Sequence, residues 1–179
     1  MPTDNVEERD AKRRRAILEA ARHCFLHFGY AKTSLDDIAK RANISRPLIY
    51  RKFKNKDDIY VAVFEFTMAG RYPAVERVLA GRGSKRDKLY RIYEILLLEP
   101  WSETSGAPMA DEYYDVCERL FPEVDAKYQR FLLKHTQAIL GSKEHSQVFM
   151  LAVEGLHSDS PTLPVLRRRL HLLVERFVA

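Results

Sequence analysis

Apolar residues recur along this chain at the three- and four-residue spacing of helices, and no segment shows the alternation of a half-buried strand. Ile17, Ala20, Ala21, Cys24, Phe25 and Phe28 mark one face of a first helix, which Gly29 closes. Leu35, Ile38, Ala39 and Ala42 mark a second, with Ser34 as its N-cap and Asp36 and Asp37 on the positive end of its dipole. Asn43 falls where a tight turn needs the left-handed conformation, and Ile44 plugs the core. Ser45 should cap a third short helix, RPLIYRKF, which tolerates Pro47 in its first turn. A fourth helix, capped by Asn55, carries Ile59, Tyr60, Val61, Val63, Phe64, Phe66 and Met68 and is apolar nearly all round. Gly70 and Pro73 should break it.

Charge changes the picture. From Asp10 to Lys56 there are 13 Lys and Arg against 4 Asp and Glu, a net of +9, while the whole chain carries +5 and the remainder therefore −4. Two short helices joined by a tight turn, the second of them basic, make a helix-turn-helix. Its second helix enters the major groove, and clustered positive charge is the footprint expected against phosphate. Arg46 opens that helix and could fork onto guanine O6 and N7, while Pro47 and Leu48 could meet a thymine methyl. Tyr50, Arg51 and Lys52 add polar and cationic reach, and Ser34 and Ser45 flank the motif. Residues 1 to about 9 read as polar and mobile. Lys12 to Arg15, with Arg14 the chosen contact, read either as a solvated first turn or as an arm touching DNA.

The segment closely resembles the DNA-binding domain of TetR-like transcriptional regulators. The resemblance rests on Ile17-Leu18 with Ala20-Ala21, Phe25, Gly29-Tyr30, Thr33-Ser34, Asp37-Ile38-Ala39, Ser45, Leu48-Ile49-Tyr50 with Phe53, and Lys56. Asn43 stands where the family usually has Gly. The resemblance implies phosphate contacts at Thr33, Tyr50 and Lys56, a homodimer, and a small-molecule pocket within helices four to eight. Candidates for that pocket are Phe64, Met68, Trp101, Tyr113, Cys117, Tyr128 and Phe131, although core packing accounts for each equally well.

The rest of the chain extends the helical pattern. A fifth helix after Gly81, Gly83 and Ser84 should end at Glu99-Pro100, followed by a loop from Trp101 to Pro108. A sixth carries Met109, Tyr113, Val116, Cys117 and Leu120, and a seventh runs from Val124 to Ile139 before Gly141. The eighth and ninth carry more apolar surface than one core contact needs, which suggests self-association through a four-helix interface. The residues assigned to that interface are Phe149, Val153, Leu156, Leu166, Leu170, Leu173 and Phe177. The alternative is that these stripes are internal core. The expected fold is thus all-α, with about nine helices: a helix-turn-helix domain over 1–54 and a ligand-binding, dimerising bundle over 55–179.

Composition then excludes several classes. Of the 179 residues 46% are hydrophobic, enough for a sizeable core, and seven glycines and eight prolines are too few for a disordered chain. No apolar run approaches a membrane span, and the start MPTDNVEERD shows no signal segment, so a cytoplasmic protein is expected. Cys24 and Cys117 lack CxxC spacing and read as reduced, buried thiols. His23, Cys24 and His27 fall short of a four-ligand metal site, so neither metal nor cofactor is expected. No GxGxxG, P-loop, GxSxG or HExxH occurs, and Asp111, Glu112 and Asp115 read as a wet acidic face, not a general acid-base pair. The leading expectation is a homodimeric repressor of a pseudo-palindromic operator, released by a small-molecule effector. A regulator without an effector and a helical module that reads no DNA are the rivals.

Overall fold

The computed structural model describes residues 3–178, with side chains described from residue 7 onward. The helices are α1 (Thr3–Phe28), α2 (Leu35–Arg41), α3 (Arg46–Lys52), α4 (Lys56–Ala69), α5 (Tyr72–Ala80) and α6 (Lys85–Tyr93). A π-helical segment (Glu94–Leu98) leads directly into α7 (Glu99–Thr104), followed by α8 (Ala110–Leu120), α9 (Pro122–Leu140), α10 (Lys143–Gly155) and α11 (Leu163–Phe177). No strand occurs among the described residues, as the all-α pattern requires. Among the described residues, nine helical runs result when α4 with α5, and α6 through α7, are each taken as one interrupted run.

The chain forms two compact units, one of residues 1–67 with 106–124 and the other of residues 68–105 with 125–179. The unit that carries the helix-turn-helix therefore extends past residue 54 and takes in α8. Its interior explains why. Tyr60, on α4, is fully buried, and its ring lies 5.2 Å from Phe25, 5.4 Å from Tyr30, 5.4 Å from Tyr113 and 5.2 Å from Phe121. Such ring pairs each contribute about 0.5–1.5 kcal/mol beyond their area burial. The Tyr60 hydroxyl donates to the Tyr113 carbonyl, so its polar end is satisfied inside the cluster. The Met109 amide donates to the Leu26 carbonyl at 3.0 Å, and the Tyr30 amide donates to Glu112 at 3.2 Å, fixing α8 against the end of α1. Gly29 sits at φ +82°, a conformation that favours glycine, and the Glu112 carboxylate lies directly over it.

The second unit has its own core of Val75, Leu89, Ile92, Tyr93, Ile95, Leu96 and Leu98 with apolar residues of α9, α10 and α11. Here the expected helix end at Glu99-Pro100 is corrected. Proline has no N–H to give the carbonyl four residues back, which is that of Leu96. Tyr128 supplies the missing donor: its hydroxyl bonds the Leu96 carbonyl at 3.3 Å. The π-helical turn carries the chain past the proline, and Trp101 to Thr104 are helical where a loop was expected. Trp101 donates from Nε1 to the Pro161 carbonyl at 3.1 Å.

Four of the seven residues assigned to the dimer interface are core instead. Phe149, Val153, Leu166 and Leu170 are buried within the single chain, and Leu156, Leu173 and Phe177 pack half-buried against the same core. The outward stripe of this helix pair is a different one: Val148 and Leu151 on α10, exposed 52% and 66%, and Leu172 on α11, exposed 52%.

Candidate nucleic-acid interface

Local sequence builds the motif residue by residue. Ser34 accepts the Asp37 amide at 3.2 Å, and Asp37 accepts the Ser34 amide at 3.0 Å, a reciprocal capping box that starts α2. Asn43 takes φ +50°, as the turn requires. Ser45 stands at the N-cap of α3, but its hydroxyl makes no capping bond, which corrects that expectation and leaves it exposed. Ile49 and Phe53 are buried and anchor α3 from beneath. Arg46, Pro47, Tyr50 and Arg51 consequently face outward, with Tyr50 exposed 54%.

The cations are not equivalent. Arg46 is held by Asp36 of α2, its Nε donating to Oδ1 at 2.5 Å and its Nη2 pairing with Oδ2. Lys52 is paired with Asp10 of α1 at 2.6 Å. That pairing holds the Asp10 carboxyl below the usual carboxylate range. Arg14 stacks over the Phe53 ring at 5.2 Å while remaining exposed. Lys12 to Arg15 are neither an arm nor a first turn, because α1 begins at Thr3 and carries them well inside the helix. Residues 3–9 lie in the same helix, and Met1 and Pro2 lie outside the described residues.

Two residues expected at phosphate bond the protein's own backbone. Thr33 is 3% exposed, and its hydroxyl donates to the Gly29 carbonyl at 2.8 Å. Lys56 donates to the Tyr30 carbonyl at 2.7 Å, with its ammonium 4.3 Å above the Tyr30 ring. Tyr30 in turn donates from its hydroxyl to Asp57, so the turn after α1 is clamped to the start of α4. Burial and the Asp57 carboxylate push the Tyr30 phenol well above its ordinary pKa. Asp36, Asp10, Tyr30 and Glu112 are the partners that sequence reading did not assign to this site. Only Asp36, ten residues before Arg46, lay close enough in sequence to suggest its pairing; Asp10 is 42 residues from Lys52 and Glu112 is 82 from Tyr30.

The pocket candidates separate. Phe64, Tyr113 and Cys117 are buried in the first unit, where the Phe64 and Tyr113 rings lie 6.5 Å apart. Met68, Trp101, Tyr128 and Phe131 belong to the second unit. Phe131 is sandwiched there between Tyr72 at 3.6 Å and His135 at 3.9 Å. His23 and His27 stack at 3.8 Å, and no cluster of three or more metal-ligating side chains occurs among the described residues.

Residues 17–63 match the family described as bacterial regulatory proteins, tetR family. Among curated relatives, the uncharacterized HTH-type transcriptional regulator YhgD of Bacillus subtilis is 44% identical over 52 residues, 29% of this chain and 27% of that protein. Matches to other curated relatives span 25% to 38% of their lengths. A TetR-family transcriptional regulator from Streptomyces coelicolor superposes with TM-score 0.73 at 16% identity, covering 94% of this chain and 95% of that one. SmeT, the repressor of the Stenotrophomonas maltophilia multidrug efflux pump SmeDEF, superposes with TM-score 0.70 at 23% identity, covering 92% and 87%. The chain is therefore TetR-like: it carries at residues 17–63 the segment of the tetR family of bacterial regulatory proteins, within an all-α fold that solved TetR-family regulators share.

Proposed function

We propose that this chain is a DNA-binding transcriptional regulator that acts as a homodimeric repressor of a pseudo-palindromic operator in the cytoplasm. The observation that carries the reading is α3, anchored by buried Ile49 and Phe53 while Arg46, Pro47, Tyr50 and Arg51 face outward. An exposed basic helix on a rigid base is the arrangement that enters a major groove. Arg14 and Arg51 are the phosphate contacts of this reading, Arg46 and Pro47 reach base edges, and Tyr50 serves both. The DNA-binding head is the unit of residues 1–67 with 106–124, a wider segment than residues 1–54 alone.

The exposed stripe of Val148, Leu151 and Leu172 supports dimerisation. Large apolar side chains in solvent on two adjacent helices favour a second copy over water, and a two-fold axis closes the assembly. The dimer would place two recognition helices on successive major grooves, about 34–36 Å apart. A small-molecule effector bound beside Trp101, Tyr128 and Phe131 of the second unit would favour one arrangement of the dimer and release the operator. SmeT has been solved with triclosan bound, which makes an apolar effector of that size a reasonable first screen.

The direct test is titration of purified protein onto labelled mixed-sequence duplex DNA across a salt series, read by fluorescence anisotropy. The proposal requires binding whose logarithm falls linearly with the logarithm of salt, with a slope set by several phosphate contacts. A folded protein that shows no binding at low salt refutes it.

A further inference from the structure

Resting on the DNA-reading proposal above, we propose that Asp36 is a specificity-determining residue that holds Arg46 as a reader of guanine. The carboxylate grips the guanidinium side-on, through Nε and Nη2. Guanidinium has five N–H donors in one plane. The side-on grip uses Nε–H and one Nη2–H. The edge that remains carries the second Nη2–H and the two Nη1–H donors, a fork with donors only. Guanine is the base that offers two acceptors, O6 and N7, side by side in the major groove. Arg46 opens α3 and its side chain is 70% exposed, so this free edge is open to a ligand even with Asp36 in place.

The same carboxylate argues against the competing role for Arg46. A phosphate approaching the guanidinium would meet the Asp36 charge, which is itself one-third exposed. The neutral guanine edge meets no such repulsion. Fixing the fork before binding also removes rotamer freedom that an unbraced arginine would lose on contact. Asp36 thus acts through Arg46 without touching DNA, and it ties α2 to the base-reading surface of α3.

Selection of randomised duplexes by the full-length protein, Asp36→Ala, Arg46→Lys and Arg46→Ala tests this, with circular dichroism confirming that each variant is folded. The wild type should enrich one guanine per half-site, preferred about tenfold or more over other bases. Arg46→Lys keeps the charge but loses the fork, and should erase that preference alone. Asp36→Ala should lower the same preference several-fold, with affinity for mixed-sequence DNA unchanged or higher because a negative charge is gone. An intact guanine preference in Asp36→Ala overturns the proposal, as does an equal loss of affinity for every sequence, which is the mark of a purely structural brace. If Arg46→Ala alters only overall affinity, Arg46 contacts phosphate and the proposal also fails. No enriched motif for any variant would refute the DNA-reading proposal itself, and this inference with it.

Discussion

Replacing Lys56 by Met separates a brace from a phosphate contact. The Lys56 ammonium donates to the Tyr30 carbonyl at 2.7 Å and lies 4.3 Å above the Tyr30 ring. A charge-assisted hydrogen bond contributes about 1.5–3 kcal/mol net, and a partly exposed cation–π contact about 0.5–1 kcal/mol. Lys56 is half-buried, so the lower ends apply, and methionine retains the apolar stem over the ring. The expected loss is about 1.5–2 kcal/mol. With a urea m-value of about 2 kcal/mol/M, the unfolding midpoint should fall by about 0.8–1 M. Far-UV circular dichroism against urea reads it directly. The salt slope of DNA binding should not change, because the ammonium is committed to the protein's own backbone. A slope shallower by about 0.9 with an unshifted urea midpoint would refute the reasoning and make Lys56 a phosphate ligand.

Arg51→Ala should do the reverse, lowering the salt slope by about 0.9 with a stability change within about 0.5 kcal/mol, since the side chain is exposed. Leu151→Lys should yield a folded monomer by sedimentation, whereas Leu170→Ala, at a fully buried site, should cost about 2–5 kcal/mol of stability. A Leu151→Lys variant that remains dimeric would remove the α10–α11 stripe from the interface. Glu94 is held below its ordinary carboxyl pKa chiefly by the hydrogen bond from Arg167, helped by Arg91 and opposed by burial. Its stabilisation is therefore present above the unfolded value of 4.5 and is lost as pH falls through the lower folded value. Glu94→Gln should reduce stability at neutral pH and flatten the acid side of the stability profile. An unchanged acid limb would show the pairing to be energetically silent.

The head was legible in the sequence because local rules agree there. The Ser34–Asp37 box, Gly29 and Asn43 at positive φ and the buried Ile49 and Phe53 all follow from residue type and spacing. What periodicity could not supply was partners distant in sequence. Tyr128 repairs the backbone at Pro100 from 32 residues away counted from Leu96, so the proline read as a stop although the helix continues. The α10 and α11 stripes were both visible, but apolar content alone could not say which faces inward. Phe149, Leu166 and Leu170 turned out to be core, and Val148, Leu151 and Leu172 outward. At the interface, residue type marked Lys56 and Thr33 as polar contacts, whereas the turn after α1 takes up the Thr33 hydroxyl donor and one Lys56 N–H. Asp36 escaped notice because a carboxylate in the first turn of α2 is already accounted for by the helix dipole.

The most direct measurement is selection of genomic fragments by the purified protein at moderate salt, followed by sequencing of what is retained. A dimer reading DNA through α3 should enrich a two-fold-symmetric motif with half-sites about one helical turn apart, and Arg46→Ala should remove the guanine from each half-site. Retention without sequence preference, or no retention even after cell extract is added to supply an effector, would contradict the account.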